Sequence, residues 1–139
     1  MEKKFNRIGG IIATVFLITM LIIGLYKRHL LNQNFAFVAG RVTEITLPGW
    51  KSYGNYSVLY EYQVSGKQYR SNNNYNYCGQ LGITKLSALL VGKRFPVVYA
   101  VKDASTGIMV LTEETAGRFQ YQLPDSVKFY DSVLTCKAQ

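Results

Sequence analysis

Two hydrophobic periods divide this chain. From Ile8 to Tyr26 the sequence reads IGGIIATVFLITMLIIGLY, nineteen positions without a charge. A helix rises about 1.5 Å per residue, so this run covers roughly 28 Å, close to the hydrocarbon thickness of a bilayer. Eleven of its residues are Ile, Leu, Val or Phe. Each favours insertion by about 0.3–0.6 kcal/mol near the helix centre, and Gly and Thr take part of that back. Lys3, Lys4 and Arg7 precede the run, and Lys27, Arg28 and His29 close it. The pattern predicts a single membrane-spanning anchor over residues 1–30. A cleaved secretory signal is the alternative, but such signals have an apolar core of about 7–15 residues and a small-residue cleavage site. The run exceeds that length, and a charged collar follows it instead. The basic excess on the N-terminal flank places the N-terminus in the cytoplasm of a plasma (inner) membrane protein, with the main domain outside.

Beyond an eight-residue linker, Lys27 to Asn34, the period changes to two. In YSVLYEYQV, Tyr56, Val58, Tyr60, Tyr62 and Val64 share one face, as in a strand with one side buried. Ser65-Gly66 is a tight turn, and Lys67 to Tyr75 returns as the partner strand. Phe37 to Leu47 is β-branched enough for a first strand, with Gly40 marking a bulge or a close backbone contact. Leu47 to Asn55 is a loop punctuated by Pro48 and Gly49. Ile83, Leu86, Leu89 and Leu90 have helical spacing and predict a short helix ending at Gly92. Phe95 to Val101 alternates again, with Pro96 confined to a strand start or an edge. Lys102 to Gly107 reads as a polar turn, and Ile108 to Leu111 as the final strand. The expected fold is therefore mainly β: a five-stranded antiparallel domain with one short helix over residues 35–112. For the tail, 113–139, an amphipathic helix beginning near Pro124 and an unstructured end are equal alternatives.

Charge changes this picture little. The net +8 splits evenly, with +4 in residues 1–30 and +4 dispersed over residues 31–139. Half of the excess is thus the collar of the anchor, and no dense basic block remains to suit a nucleic acid. Attraction to anionic lipid headgroups is the next reading of the surface. The two cysteines, Cys78 and Cys136, are a candidate disulfide if the domain meets an oxidising compartment, and free thiols otherwise.

Catalytic chemistry is hard to assemble. The single histidine, His29, sits in the collar, so no Ser-His-Asp or Cys-His arrangement forms without it. The carboxylates are scattered, and no nucleotide-binding glycine motif occurs. No catalytic residue, cofactor or metal is expected. Three stretches suit binding. Trp50 and Tyr53 lie on the first loop and make good interface anchors. Asn73, Tyr75 and Tyr77 belong to an Asn- and Tyr-rich stretch able to hydrogen-bond and stack. Within the anchor, Gly9 with Ala13 and Gly10 with Thr14 form small-residue pairs that permit close helix packing and a homodimer.

The order of these pieces resembles the bacterial membrane-anchored family known as domain of unknown function 3592. The likeness rests on the apolar helix; on Gly40, Val42 and Glu44; and on Tyr56, Val58, Tyr60, Tyr62, Val64, Gly66 and Tyr69. It continues through Gly92, Pro96, Val97 and Tyr99 to Met109, Val110 and Leu111. The chain departs from it at Lys102 to Gly107, where family members often carry a D-P-x-N-P-like turn, and in lacking a second apolar run after the domain. The resemblance implies an anchor with a small β domain and assigns no chemistry. The expectation is a non-catalytic protein that binds a protein partner, or supports a membrane complex, at the bilayer surface. An immunity or exclusion protein, and a subunit of a membrane-tethered enzyme completed by another chain, are the alternatives.

Overall fold

The computed structural model describes residues 2–47, 55–76 and 82–135. Helix α1 (Glu2–Gln33) leads into strand β1 (Phe35–Thr46). The hairpin β2 (Asn55–Val64) and β3 (Lys67–Asn76) follows, then α2 (Ile83–Leu90), β4 (Arg94–Ala100) and β5 (Asp103–Met109). Two short helices, α3 (Glu113–Arg118) and α4 (Asp125–Leu134), complete the order. The five strands form one antiparallel sheet in the order β3-β2-β1-β4-β5. The sheet curls until β3 and β5, its two edges, approach each other, which makes it nearly a barrel.

The expected pattern of faces is present. Tyr56, Val58, Tyr60 and Tyr62 of β2 are all buried and meet Val42, Val97 and Met109 in one core. The β2–β3 turn has positive φ at both Ser65 (50°) and Gly66 (80°), the conformation that matches the twist of a two-residue hairpin. Gly40 is a close-contact position. A Cβ there would strike Val97 and come within 3.2 Å of the Glu61 carbonyl and of Met109 Cε. The bulge itself lies three residues on, where Thr43 is inserted between the Val42–Tyr60 and Glu44–Leu59 pairs. Helix α2 ends as expected, with Gly92 at a φ of 82°. Pro96 is near the start of β4. Its carbonyl accepts from Val110 N–H at 2.7 Å, so its missing donor falls at the end of the β5 ladder.

Three expectations are corrected. The linker is not a linker: α1 stays helical to Gln33, and Asn34 alone separates it from β1. Leu30 and Leu31 are buried in the domain's core, so the helix end is part of the domain. The polar turn is only Val101-Lys102, and Asp103 to Gly107 belongs to β5. Small polar residues hid that strand because its inward position at Gly107 must be small: a Cβ there would collide with the Tyr62 ring. The domain does not end at residue 112: the helix that was one alternative for the tail is present as α4 after Pro124, α3 precedes it, and the segment contributes Ala116, Phe119, Leu123, Val127 and Leu134 to the core.

The segment Gly9–Gln33 is long and apolar enough to cross a membrane, and its side chains pack against nothing in the domain over that apolar run. The pairs Gly9/Ala13 and Gly10/Thr14 lie on this open helix, where a Cβ added at Gly9 or Gly10 meets no atom within 4 Å. Thr14 Oγ1 donates back to the Gly10 carbonyl at 2.9 Å, which satisfies the hydroxyl within the helix.

Candidate binding groove

The two edges of the sheet are joined by side chains instead of a backbone ladder. Tyr60 and Tyr62 project from β2 across the core to β5. The Tyr62 hydroxyl donates to the Ala104 carbonyl at 2.6 Å. The Tyr60 hydroxyl accepts from Met109 N–H at 3.2 Å and shares its proton between Asn73 Oδ1 (2.8 Å) and the Gly107 carbonyl (2.9 Å). From β3, Asn73 Nδ2 donates to the Met109 carbonyl and to the Tyr75 hydroxyl, each at 2.9 Å. Burial raises the Tyr60 phenol to about 12, and also raises those of Tyr56, Tyr62 and Tyr75. These phenols therefore stay neutral hydrogen-bonding groups at physiological pH. Tyr56 stacks on Tyr75 with ring centroids 5.7 Å apart, and its buried hydroxyl has no hydrogen-bond partner among the described residues.

Where this seam ends, the outer edge of β3 has no strand partner among the described residues. The two-residue turn closes on the Val64–Lys67 pair, and an antiparallel ladder alternates from there. Tyr69, Ser71, Asn73 and Tyr75 thus direct their backbone groups to β2, whereas Asn72 and Asn74 direct theirs to this outer edge. Alongside runs a groove with a volume of about 540 Å³. Its walls are Asn72 to Asn76 on one side and Ile108, Thr112, Glu114, Thr115, Leu134 and Thr135 on the other. Asn72 Nδ2 donates to Asn74 Oδ1 (3.2 Å), and Ser57 Oγ donates to that same oxygen (2.5 Å), which orders the amides along the rim. Asn74 pairs with Ser57, which pairs with Thr46, so the groove lies near the end of β1 remote from its junction with α1.

The opposite wall is built by capping. Thr112 Oγ1 accepts from Thr115 N–H at 3.3 Å and starts α3, with Glu113 and Glu114 in its first turn. Buried Asp131 of α4 accepts from Glu113 N–H at 3.0 Å, which ties the two helices together. The α3 part of this wall is what sequence reading missed. The Thr-Glu-Glu-Thr signal for a helix start was there to be used, but six residues are too few to reveal a hydrophobic period.

Of the predicted binding residues, Asn73 and Tyr75 are in this region, as half-buried residues of the expected partner strand, β3. Asn73 serves mainly to close the barrel. Trp50, Tyr53, Tyr77, Cys78 and Cys136 lie outside the described residues. His29 remains on α1, with its Nε2 2.9 Å from Gln33 Nε2. Among the described residues no group of three or more His, Cys, Asp or Glu side chains is placed to hold a metal. Compared with family models, curated proteins and solved structures, the chain finds no match.

Proposed function

We propose that this chain is a non-catalytic, membrane-anchored binding module. Helix α1 crosses the plasma (inner) membrane once, with the N-terminus in the cytoplasm, and the β domain binds a partner protein at the outer surface. The partner presents an extended segment that adds to the outer edge of β3 at Asn72 and Asn74, in the mode of strand addition. The observation that carries this reading is that outer edge beside a groove. Natural proteins usually guard a free strand edge with charge or Pro. Here Lys67 and Arg70 guard the first half of β3, while the second half carries only neutral amides and a tyrosine. Main-chain hydrogen bonds supply the affinity in such a complex, and the amide rim and the Thr112–Thr115 wall select among side chains.

The test is site-specific photo-crosslinking of the full chain in the membranes of cells that make it. A crosslinker at Asn74 is expected to capture a discrete partner, and one at exposed Lys85 of α2 is not. Asn72→Pro removes an edge N–H without touching the β2 ladder and is expected to abolish the adduct. No adduct from Asn74, or the same adducts from both positions, contradicts the proposal.

A further inference from the structure

A second concavity lies on the α1 side of the β3 groove, between α1 and β5, and Ile108 lines both. It has a volume of about 410 Å³, within the roughly 300–1,000 Å³ usual for small-ligand sites. Gly24, Lys27 and Arg28 of α1, Ser105 and Thr106 of β5, and Arg118 of α3 form most of its wall. Three cations thus converge from two helices far apart in sequence, and no carboxylate lines the cleft among the described residues. The two ion pairs among those residues, Arg70–Glu61 and Lys128–Asp125, use none of the three. Arg118 is held in position: its Nη2 donates to Asn32 Oδ1 at 3.4 Å, and its guanidinium packs 5.2 Å from the centre of the Phe119 ring. One carboxylate stands beside the cleft. Asp103 accepts from Ser105 N–H (3.1 Å), Ser105 Oγ (2.6 Å) and Thr106 Oγ1 (2.9 Å). These bonds, together with the nearby Lys27 charge, hold its carboxyl below the usual carboxylate range. Asp103 therefore offsets part of the charge of Lys27 and leaves Arg28 and Arg118 as the principal cations of the cleft.

The depth of the cleft is as informative as its charge. Lys27 and Arg28 directly follow the apolar run, at the level where a span meets the headgroups. Leu17, Leu21, Gly24 and Arg28 succeed one another along one face of α1, so the cleft opens onto an exposed apolar stripe. Gly24 leaves that face bare where the stripe meets the cations, since a Cβ there would touch nothing within 4 Å. A ligand fitted to this arrangement has an anionic head and hydrocarbon chains. We propose that the cleft binds the phosphate of an anionic glycerophospholipid, with an acyl chain along the Leu17–Leu21–Gly24 stripe. This inference rests on α1 spanning the bilayer. It is independent of the groove at β3.

The experiment is native mass spectrometry of the full chain in a neutral detergent, titrated with phosphatidylglycerol, phosphatidylcholine or inorganic phosphate. The wild type is expected to retain phosphatidylglycerol at several-fold lower lipid concentration than phosphatidylcholine. Arg118→Gln and Arg28→Gln are each expected to weaken phosphatidylglycerol retention about fivefold, the value of one basic residue at an anionic membrane surface. Arg118→Lys, which keeps the charge, is expected to restore most of it. Equal retention of the two lipids, or unchanged retention in both Gln variants, overturns the proposal. Displacement of phosphatidylglycerol by inorganic phosphate assigns the cleft to a free anion and overturns the lipid assignment. Flotation of the same preparation with vesicles reports on the anchor separately: a chain that floats yet does not discriminate lipids loses the cleft alone, and one that fails to float loses both.

Discussion

At the residue scale, the two buried tyrosines Tyr56 and Tyr60 make opposite predictions. Both are almost fully enclosed, but only the Tyr60 hydroxyl is bonded. Tyr60→Phe removes the acceptor of Met109 N–H and is expected to cost about 1–3 kcal/mol. Tyr56→Phe removes a hydroxyl that finds no partner and is expected to be neutral or stabilising. Denaturant unfolding of the two variants side by side checks the pair, and equal losses would show that the seam is not what holds β5. The same tyrosines set an alkaline limit. Their folded phenols titrate above the value of about 10 that they have when unfolded. The unfolded chain therefore loses protons first as pH rises. The stability they lend is intact below about pH 10 and declines above it, by up to about 1.4 kcal/mol per pH unit for each group. A denaturation midpoint that held constant from about pH 9 to about pH 11 would contradict this. At the hairpin turn, Ser65 sits in the left-handed region at a φ of 50°. Ser65→Asn suits that turn better and is expected to raise stability by up to about 1 kcal/mol, read as a shift in denaturation midpoint.

At the scale of elements, the strands that alternate cleanly were legible from sequence, and those whose inward positions must be small were not. Tyr56 to Val64 announced β2 because one side faces a deep core and the other does not. The end of β5 was read as a strand from Ile108, but Asp103 to Gly107 was read as a turn because the inward residue there is Gly107, beneath Tyr62. The faces of β4 were only half legible. Phe95, Val97, Tyr99 and Val101 were expected to share one face, but Val101 is exposed and lies beyond the strand, and Val98 and Ala100 are as buried as Val97, because α1 packs against β4 as well. The candidate groove was legible on its β3 side, from Asn73 and Tyr75, and only partly on its helical side, where α4 was one of two alternatives and α3 was not read, because the contact joining them spans eighteen residues. That contact carries its own prediction. Asp131→Ala leaves the first N–H of α3 without its carboxylate acceptor and is expected to cost about 1–3 kcal/mol. Limited proteolysis is then expected to cut within residues 119–135 faster, while the β1–β5 sheet resists. Unchanged cleavage would mean that the apolar contacts of Val127 and Leu134 hold α4 by themselves.

At the scale of the whole molecule, one continuous helix joins an exposed apolar run to a buried core. With Leu30 and Leu31 in the core, and Val101 N–H bonded to the Asn34 carbonyl at 3.1 Å, the domain has no free tether. A bilayer around α1 would fix the orientation of the domain, hold the cationic cleft at the headgroups, and direct the β3 groove to a partner. Both proposed interactions depend on that placement, so the measurement that tests the account most directly is the state of α1 in membranes. Membranes from cells making the full chain are extracted with alkaline carbonate, and the intact mass of the retained protein is determined. The account predicts that the chain stays with the membrane at the full mass of residues 1–139. Release into the supernatant, or a retained mass lacking the N-terminal segment, would contradict it.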